Sequence, residues 1–184
     1  MTQLYQTVVY QALIDQLLQQ LGVTTALQQH CQLPLQVEAV DLVGAGPDIF
    51  GRHQSMTPDT LSRWQAMSAA AADAGVILQL VSAFRSVDYQ CQLIRNKLDR
   101  GQCLQDIVKV SALPGYSEHH TGRALDLTTP GSEPLAETFE LTAAFAWLQV
   151  NARDFDFAMS YPRDNTFGIS YEPWHWFWIG SNQS

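Results

Sequence analysis

Cysteine, positive charge and long apolar runs are all scarce in this chain. Its 184 residues include three cysteines, Cys31, Cys91 and Cys103, widely separated, odd in number and without a Cys-x-x-Cys pair. That argues against a disulfide framework and a cysteine zinc site, and fits a reducing compartment. Lysine and arginine number 10 against 18 aspartates and glutamates, a formal charge of −8. Nucleic acid and anionic lipid surfaces are therefore unfavourable partners. No segment is apolar for long enough to span a membrane, and residues 1–20 carry Asp15 and several glutamines but no basic start. A soluble cytoplasmic protein is expected, or a periplasmic one if a leader was trimmed. Oligomeric state is not readable from these features.

The residues present are 46% hydrophobic, enough for one domain with a real core. Residues 2–21 place Leu4, Val8, Leu13, Leu17, Leu18 and Leu21 at helical spacing before Gly22. Residues 33–54 mix short apolar runs with glycine and proline and read as strand and loop. Thr57-Pro58-Asp59 is a helix start, with a hydroxyl cap, proline at the first position and an early carboxylate; that helix ends near Gly75. Residues 76–81 read as a buried strand. Ser86 caps a second helix to about residue 100, with Tyr89, Leu93, Ile94 and Leu98 as its stripe. A polar segment with Pro114 and Gly115 follows, then a strand at 123–127 on which Asp126 points away from Leu125 and Leu127. Residues 137–152 have helical spacing, and 155–179 suggest two or three strands. Without a regular βαβ order the fold class is α+β: one domain, a small antiparallel sheet and flanking helices. Within it, residues 1–56 form an N-terminal helix and irregular segment packed on a core of residues 57–184.

Three of the five histidines fall in two polar segments, Ser117-Glu118-His119-His120-Thr121-Gly122-Arg123-Ala124-Leu125-Asp126 and Tyr171-Glu172-Pro173-Trp174-His175. A catalytic zinc takes about three protein nitrogen or oxygen ligands and keeps one position open for water. His119, Asp126 and His175 can supply that set. Adjacent His119 and His120 point opposite ways on an extended backbone, so one is expected as ligand and the other as packing or as a support behind the ligands. Glu172, three residues before His175, suits a general base if Pro173 marks a bend that brings both to the site. His30 and His53 have no partner motif and read as structural, Cys91 reads as a small buried hydrophobe, and the aromatic run at 174–178 reads as packing.

Together these segments resemble the VanY-type zinc D-alanyl-D-alanine carboxypeptidases of bacterial cell-wall metabolism. Ser82-Ala83-Phe84-Arg85-Ser86 with Gln90 is similar to the family's Ser-Gly-Tyr-Arg-Ser block and trailing glutamine. Residues 117–126 match its SxHxxGxAxD pattern, and Glu172-Pro173-Trp174-His175 its ExWH. The resemblance covers roughly residues 57–180. It implies a fold shared with the hedgehog signalling domain, zinc on His119, Asp126 and His175, and Glu172 as catalytic base. It further implies Arg85 on the scissile carbonyl and its oxyanion, Ser117 at the substrate's terminal carboxylate, and Gln90 as a substrate contact. Ala83 departs from the family glycine, and Phe177 stands where many relatives carry arginine. The implied substrate is a murein peptide ending in D-alanine. A cytoplasmic location favours LD-carboxypeptidase action on recycled tetrapeptide slightly over D-Ala-D-Ala cleavage. Alternatives are a peptidoglycan endopeptidase of the same fold and a non-catalytic zinc-containing binding protein, against which stands the intact base beside intact ligands.

Overall fold

The structure, a computed structural model, describes residues 2–180, the side chains of residues 2–6 and 30 excepted. Leu4 and the side chain of His30 thus lie outside the described residues. Helix α1, Thr2–Gln20, is followed by the short helix α2, Thr25–His30, capped by Thr24. An extended arm then leads into a hairpin of β1, Val43–Pro47, and β2, His53–Met56. Helix α3, Pro58–Asp73, starts as its sequence predicts, with the Thr57 hydroxyl accepting from the Thr60 amide and Pro58 where no amide is needed. Strand β3, Gln79–Ser82, precedes α4, Val87–Asp99, capped by Ser86, and α5, Leu104–Val110. Strand β4 is Ala124–Thr128, α6 is Ala143–Asn151, β5 is Phe157–Met159 and β6 is His175–Trp178.

Strands β3, β4, β6 and β5 lie side by side in that order, every pair antiparallel. This is the α+β arrangement expected. On β4 the alternation of side chains divides two tasks. Leu125 and Leu127 enter a core with Trp64, Met67 and Ala71 of α3, Ala144 and Leu148 of α6, Phe157 and Trp176. Asp126 points the other way. A second core joins Ile14 and Leu18 of α1, and Leu21 just after it, to Val87, Cys91 and Ile94 of α4 and Ile107 of α5.

Several boundaries and faces differ from the sequence expectation. The 137–152 segment is a 3-10 turn, Glu137–Leu141, and then α6, because the Thr142 hydroxyl accepts from the Phe145 amide and starts a new helix. Helix α5 lies inside the stretch read as polar; at seven residues it is too short for periodicity to stand out. On α1 the buried positions are Ile14 and Leu18, with Leu21 buried just past its end, while Val8 and Leu13 are exposed. On α4 the buried face is Val87, Gln90, Cys91 and Ile94, and Tyr89 is exposed. His53 is exposed. All three cysteines are free, with Cys91 buried. No helix among the described residues is long and apolar enough to cross a membrane.

Candidate active site

Each site residue is placed by a local device. Residues 118–121 form a 3-10 turn rather than extended chain, and Gly122, at φ +65°, closes it into β4. A Cβ at Gly122 would lie 2.9 Å from Leu42 in a backbone region that favours glycine. The tight turn, not an extended backbone, separates the two adjacent histidines. His119 faces the site, while His120 packs elsewhere: its Nε2 accepts from the Gly115 amide at 3.1 Å and its Nδ1 donates to the Arg85 carbonyl at 2.6 Å. At the other end, the His175 amide donates to the Glu172 carbonyl at 3.1 Å. That closes a four-residue turn with Pro173 at its second position, where proline's fixed φ fits. The turn delivers Glu172 and His175 to one place, and strand register sets Asp126 directly opposite His175.

His119, Asp126 and His175 are all buried, and one donor atom from each lies within 4.8 Å of the others. His119 Nδ1 is 2.5 Å from the Ala83 carbonyl, so it carries the proton and leaves Nε2 as the free electron pair. That buried Nε2 has no hydrogen-bond partner, although Asp126 Oδ2 is 3.2 Å away. On His175 the roles reverse: Nε2 is 2.8 Å from Glu118 Oε2, and Nδ1 faces Asp126 Oδ1 at 3.0 Å. A ring nitrogen held by an acceptor on its outer side presents the inner one to a metal. Two imidazoles with matched tautomers, a carboxylate and an orphaned buried nitrogen fit a zinc-type donor set.

The electrostatics are strongly coupled. Burial alone would raise the Asp126 pKa, but His119 and His175 hold it well below the usual carboxylate range. Burial lowers His119 to about 4, with Arg85 acting the same way and Asp126 opposing. Burial opposes the charge on His175 too, yet its bonds to Asp126 and Glu118 raise it to about 10. For Glu172, burial is the leading influence and lifts the carboxyl to about 7; Asp126 and Glu118 add to that, while His175 and Arg85 act against it. Glu172 Oε2 is 3.8 Å from His175 Nδ1.

Two connected spaces open from this cluster. An inner pocket of about 40 Å³ is lined by Ser117, His119, Tyr161, Glu172, His175 and Arg85 among others. An outer cleft of about 520 Å³ shares Arg85, Ser111 and Glu172 with it and includes Lys97, Glu137 and Trp174. Arg85 therefore lies where both meet. Its Nη1 donates to Gln90 Oε1 at 3.2 Å, its Nη2 is 3.8 Å from Asp126 Oδ2, and its buried Nε has no partner. Gln90 is placed differently from a substrate contact. It is 1% exposed, lines neither space, and spends its amide on Arg85 and on the Ala112 carbonyl at 2.8 Å. Ala83 is no obstacle in place of glycine: its backbone is not left-handed and its Cβ lies in the core. Phe177 sits under the Arg123 guanidinium at 4.9 Å, so the residue just before β4 brings a cation to that position.

The structure adds residues that the sequence reading passes over. Glu118 accepts from Ser160 at 2.6 Å besides meeting His175; burial raises its pKa, but the His175 bond and charge more than offset this. The Tyr161 ring centroid is 4.8 Å from that of His175, and burial with nearby carboxylates pushes its hydroxyl above the usual tyrosine range, keeping it a neutral donor. Trp174, read as packing alone, also lines the outer cleft.

A four-stranded antiparallel sheet carrying a buried His-Asp-His donor set, with a carboxyl and a guanidinium beside it, has the layout of a metallohydrolase centre. Residues 53–181 match the VanY model, described as D-alanyl-D-alanine carboxypeptidase, and the chain belongs to that family. It is 34% identical over 120 residues to the Bacillus subtilis protein YodJ, covering 63% of this chain and 43% of that one. It is 30% identical over 122 residues to the D-alanyl-D-alanine carboxypeptidase of Enterococcus faecalis, covering 61% and 43%. The matched region is thus less than half the length of either relative. Among solved structures, that of the LdcB LD-carboxypeptidase has a TM-score of 0.71 at 30% identity, covering 81% of this chain and 72% of LdcB.

Proposed function

We propose that this chain is a zinc carboxypeptidase that removes a terminal D-alanine from peptidoglycan peptides, with the LD bond of a tetrapeptide preferred over D-Ala-D-Ala. The observation that carries this reading is Glu172, a buried carboxyl held near neutral pKa beside a matched metal donor set. Zinc on His119, Asp126 and His175 would supply Lewis-acid activation of water and of the scissile carbonyl. Glu172 is suited to take the proton of the attacking water and return it to the leaving amine, because its pKa lies near working pH. Arg85, whose side chain lines both the inner pocket and the outer cleft, can donate to the carbonyl oxygen as charge develops there. Gln90 positions that guanidinium from behind. Ser117 lies on the wall of the inner pocket beside the donor set, where a terminal carboxylate would be received.

The likeness to LdcB, an LD-carboxypeptidase, supports the LD preference. Zinc-loaded protein is to be given muramyl tetrapeptide and pentapeptide separately while released D-alanine is measured. Faster release from tetrapeptide is expected. Faster release from pentapeptide overturns the LD preference, and no release from either overturns the carboxypeptidase reading in favour of an endopeptidase or a binding protein.

A further inference from the structure

The chain has two lysines, and they are used in opposite ways. Lys109 is exposed and paired with Asp106 at 2.9 Å. Lys97 is half-buried on the wall of the outer cleft, and no carboxylate among the described residues lies within ion-pair distance of it. Its ammonium donates to Ser111 Oγ at 2.5 Å, which leaves further donor capacity. Residues 90, 93 and 97 share one stripe of α4. The stripe begins at Gln90, which holds Arg85, passes Leu93 and ends at Lys97, the latter two lining the cleft.

Three carboxylates line the same cleft, and each is otherwise engaged. Asp126 belongs to the donor set, Glu172 is the buried carboxyl beside it, and Glu137 lies 3.7 Å from Arg163. Burial lowers the Lys97 pKa, with Arg85 adding to this and Glu172 opposing. An arriving anion removes that cost. With the peptide's terminal carboxylate directed toward Ser117 and Arg85 at the junction, the residue before the terminal one lies in the larger space that Lys97 lines.

On the carboxypeptidase reading above, we infer that Lys97, presented with Ser111, determines specificity by receiving a carboxylate on the side chain of the residue before the terminal D-alanine. A penultimate D-alanine offers only a methyl there, so the same contact favours peptides whose penultimate residue is larger and anionic.

The test uses two D-alanine-terminated peptides that are identical except for a side-chain carboxylate or its amide at the penultimate position. The zinc-loaded wild type is expected to prefer the acid peptide by about tenfold in kcat/KM, carried by KM, the size of one charge-assisted hydrogen bond. Lys97→Met abolishes the preference by weakening the acid peptide alone, and Lys97→Arg keeps part of it. A preference that survives Lys97→Met, or equal slowing of both peptides, overturns the inference. Calorimetric binding of both peptides to the zinc-loaded Glu172→Gln protein, with and without Lys97→Met, reads the same contact without turnover. There, equal dissociation constants for the two peptides overturn the inference, whereas peptide discrimination lost with Lys97 supports it. Failure of the wild type to release D-alanine from either peptide counts instead against the carboxypeptidase reading.

Discussion

Glu118 Oε2 lies 2.8 Å from His175 Nε2, on the opposite edge of the imidazole from Asp126, whose Oδ1 is 3.0 Å from Nδ1. The ring is held between two carboxylates, one inside the donor set and one behind it. Such a rear carboxylate fixes the tautomer and raises ligand basicity. Glu118→Ala is expected to weaken zinc binding by about 10- to 100-fold. Glu118→Gln, whose carbonyl still accepts, loses less. Competition against a chromophoric chelator measures both, and unchanged affinity in the alanine variant would remove Glu118 from the metal's support.

The same pair of carboxylates gives zinc binding a proton cost. Without metal, His175 has a pKa raised to about 10, so it holds a proton at neutral pH. A ligand must be neutral, and binding therefore expels that proton. Zinc affinity is expected to rise with pH up to that value, by as much as about tenfold per unit. For the metal-free protein the sign is opposite: the stability contributed by the raised pKa is fully present below about 6.5 and is lost as pH rises through about 10. Titration calorimetry in two buffers of different ionisation enthalpy should report close to one proton released at pH 7. A value near zero contradicts the charged His175.

Glu172→Gln and Glu172→Ala should leave zinc content intact, because Glu172 stands outside the donor set. D-alanine release should fall by about 10²- to 10⁴-fold, the span of a lost general base. Zinc content by elemental analysis and turnover on the same sample separate the two effects. Near-normal turnover would sink the assignment.

Gln90→Leu removes the only hydrogen-bond partner of Arg85 Nη1 among the described residues and orphans the Ala112 carbonyl. The expected result is a fall of about tenfold in kcat with zinc affinity unchanged, and a stability loss of about 1–3 kcal/mol. Gln90→Glu, which still accepts from Arg85, should recover kcat better than it recovers stability. A purely structural glutamine would give parallel changes in both.

Gly115 combines φ +84° with an Ile14 side chain that would lie 2.7 Å from an added Cβ. Gly115→Ala should cost about 2 kcal/mol or more, through backbone strain and displacement of α1. Denaturant unfolding measures it. Ile14→Ala in the same chain relieves the clash and should make the two losses less than additive.

The donor set is legible in the sequence because His119, Asp126, His175 and Glu172 lie in two short blocks that match a family pattern. What pairs the blocks is the register of β4 with β6, a non-local fact that no spacing within either block encodes. Glu118 is unremarkable by sequence, one acid among 18 on a chain whose acids mostly read as solvated surface. Gln90 and Lys97 depend on which side of α4 turns inward. Apolar residues at 87, 91, 93, 94 and 98 allow more than one stripe, and docking of α1 and α5 selects the face with Val87, Cys91 and Ile94. Helix caps, by contrast, are local chemistry, so Thr57 and Ser86 read correctly from the chain alone.

The arm between α2 and β1 supplies none of the donor set, yet it is tied across the backbone that aims that set. The Gln36 amide donates to the Gly115 carbonyl at 2.7 Å, the Ala39 amide to the His120 carbonyl at 2.8 Å, and the Glu38 carboxylate accepts from the Val87 amide at 2.6 Å. Val37 and Val40 are exposed, while Leu33 is buried against Tyr161 and Ile169 and Leu35 packs on the second core, so apolar anchors at the start of the arm and polar links further along hold it down together. It works as a strap, pinned by leucines at one end and by backbone hydrogen bonds beside the site at the other. A nick or a slackening substitution there would be felt in the turn that carries His119, in a protein whose four-stranded sheet draws none of its pairing from the arm.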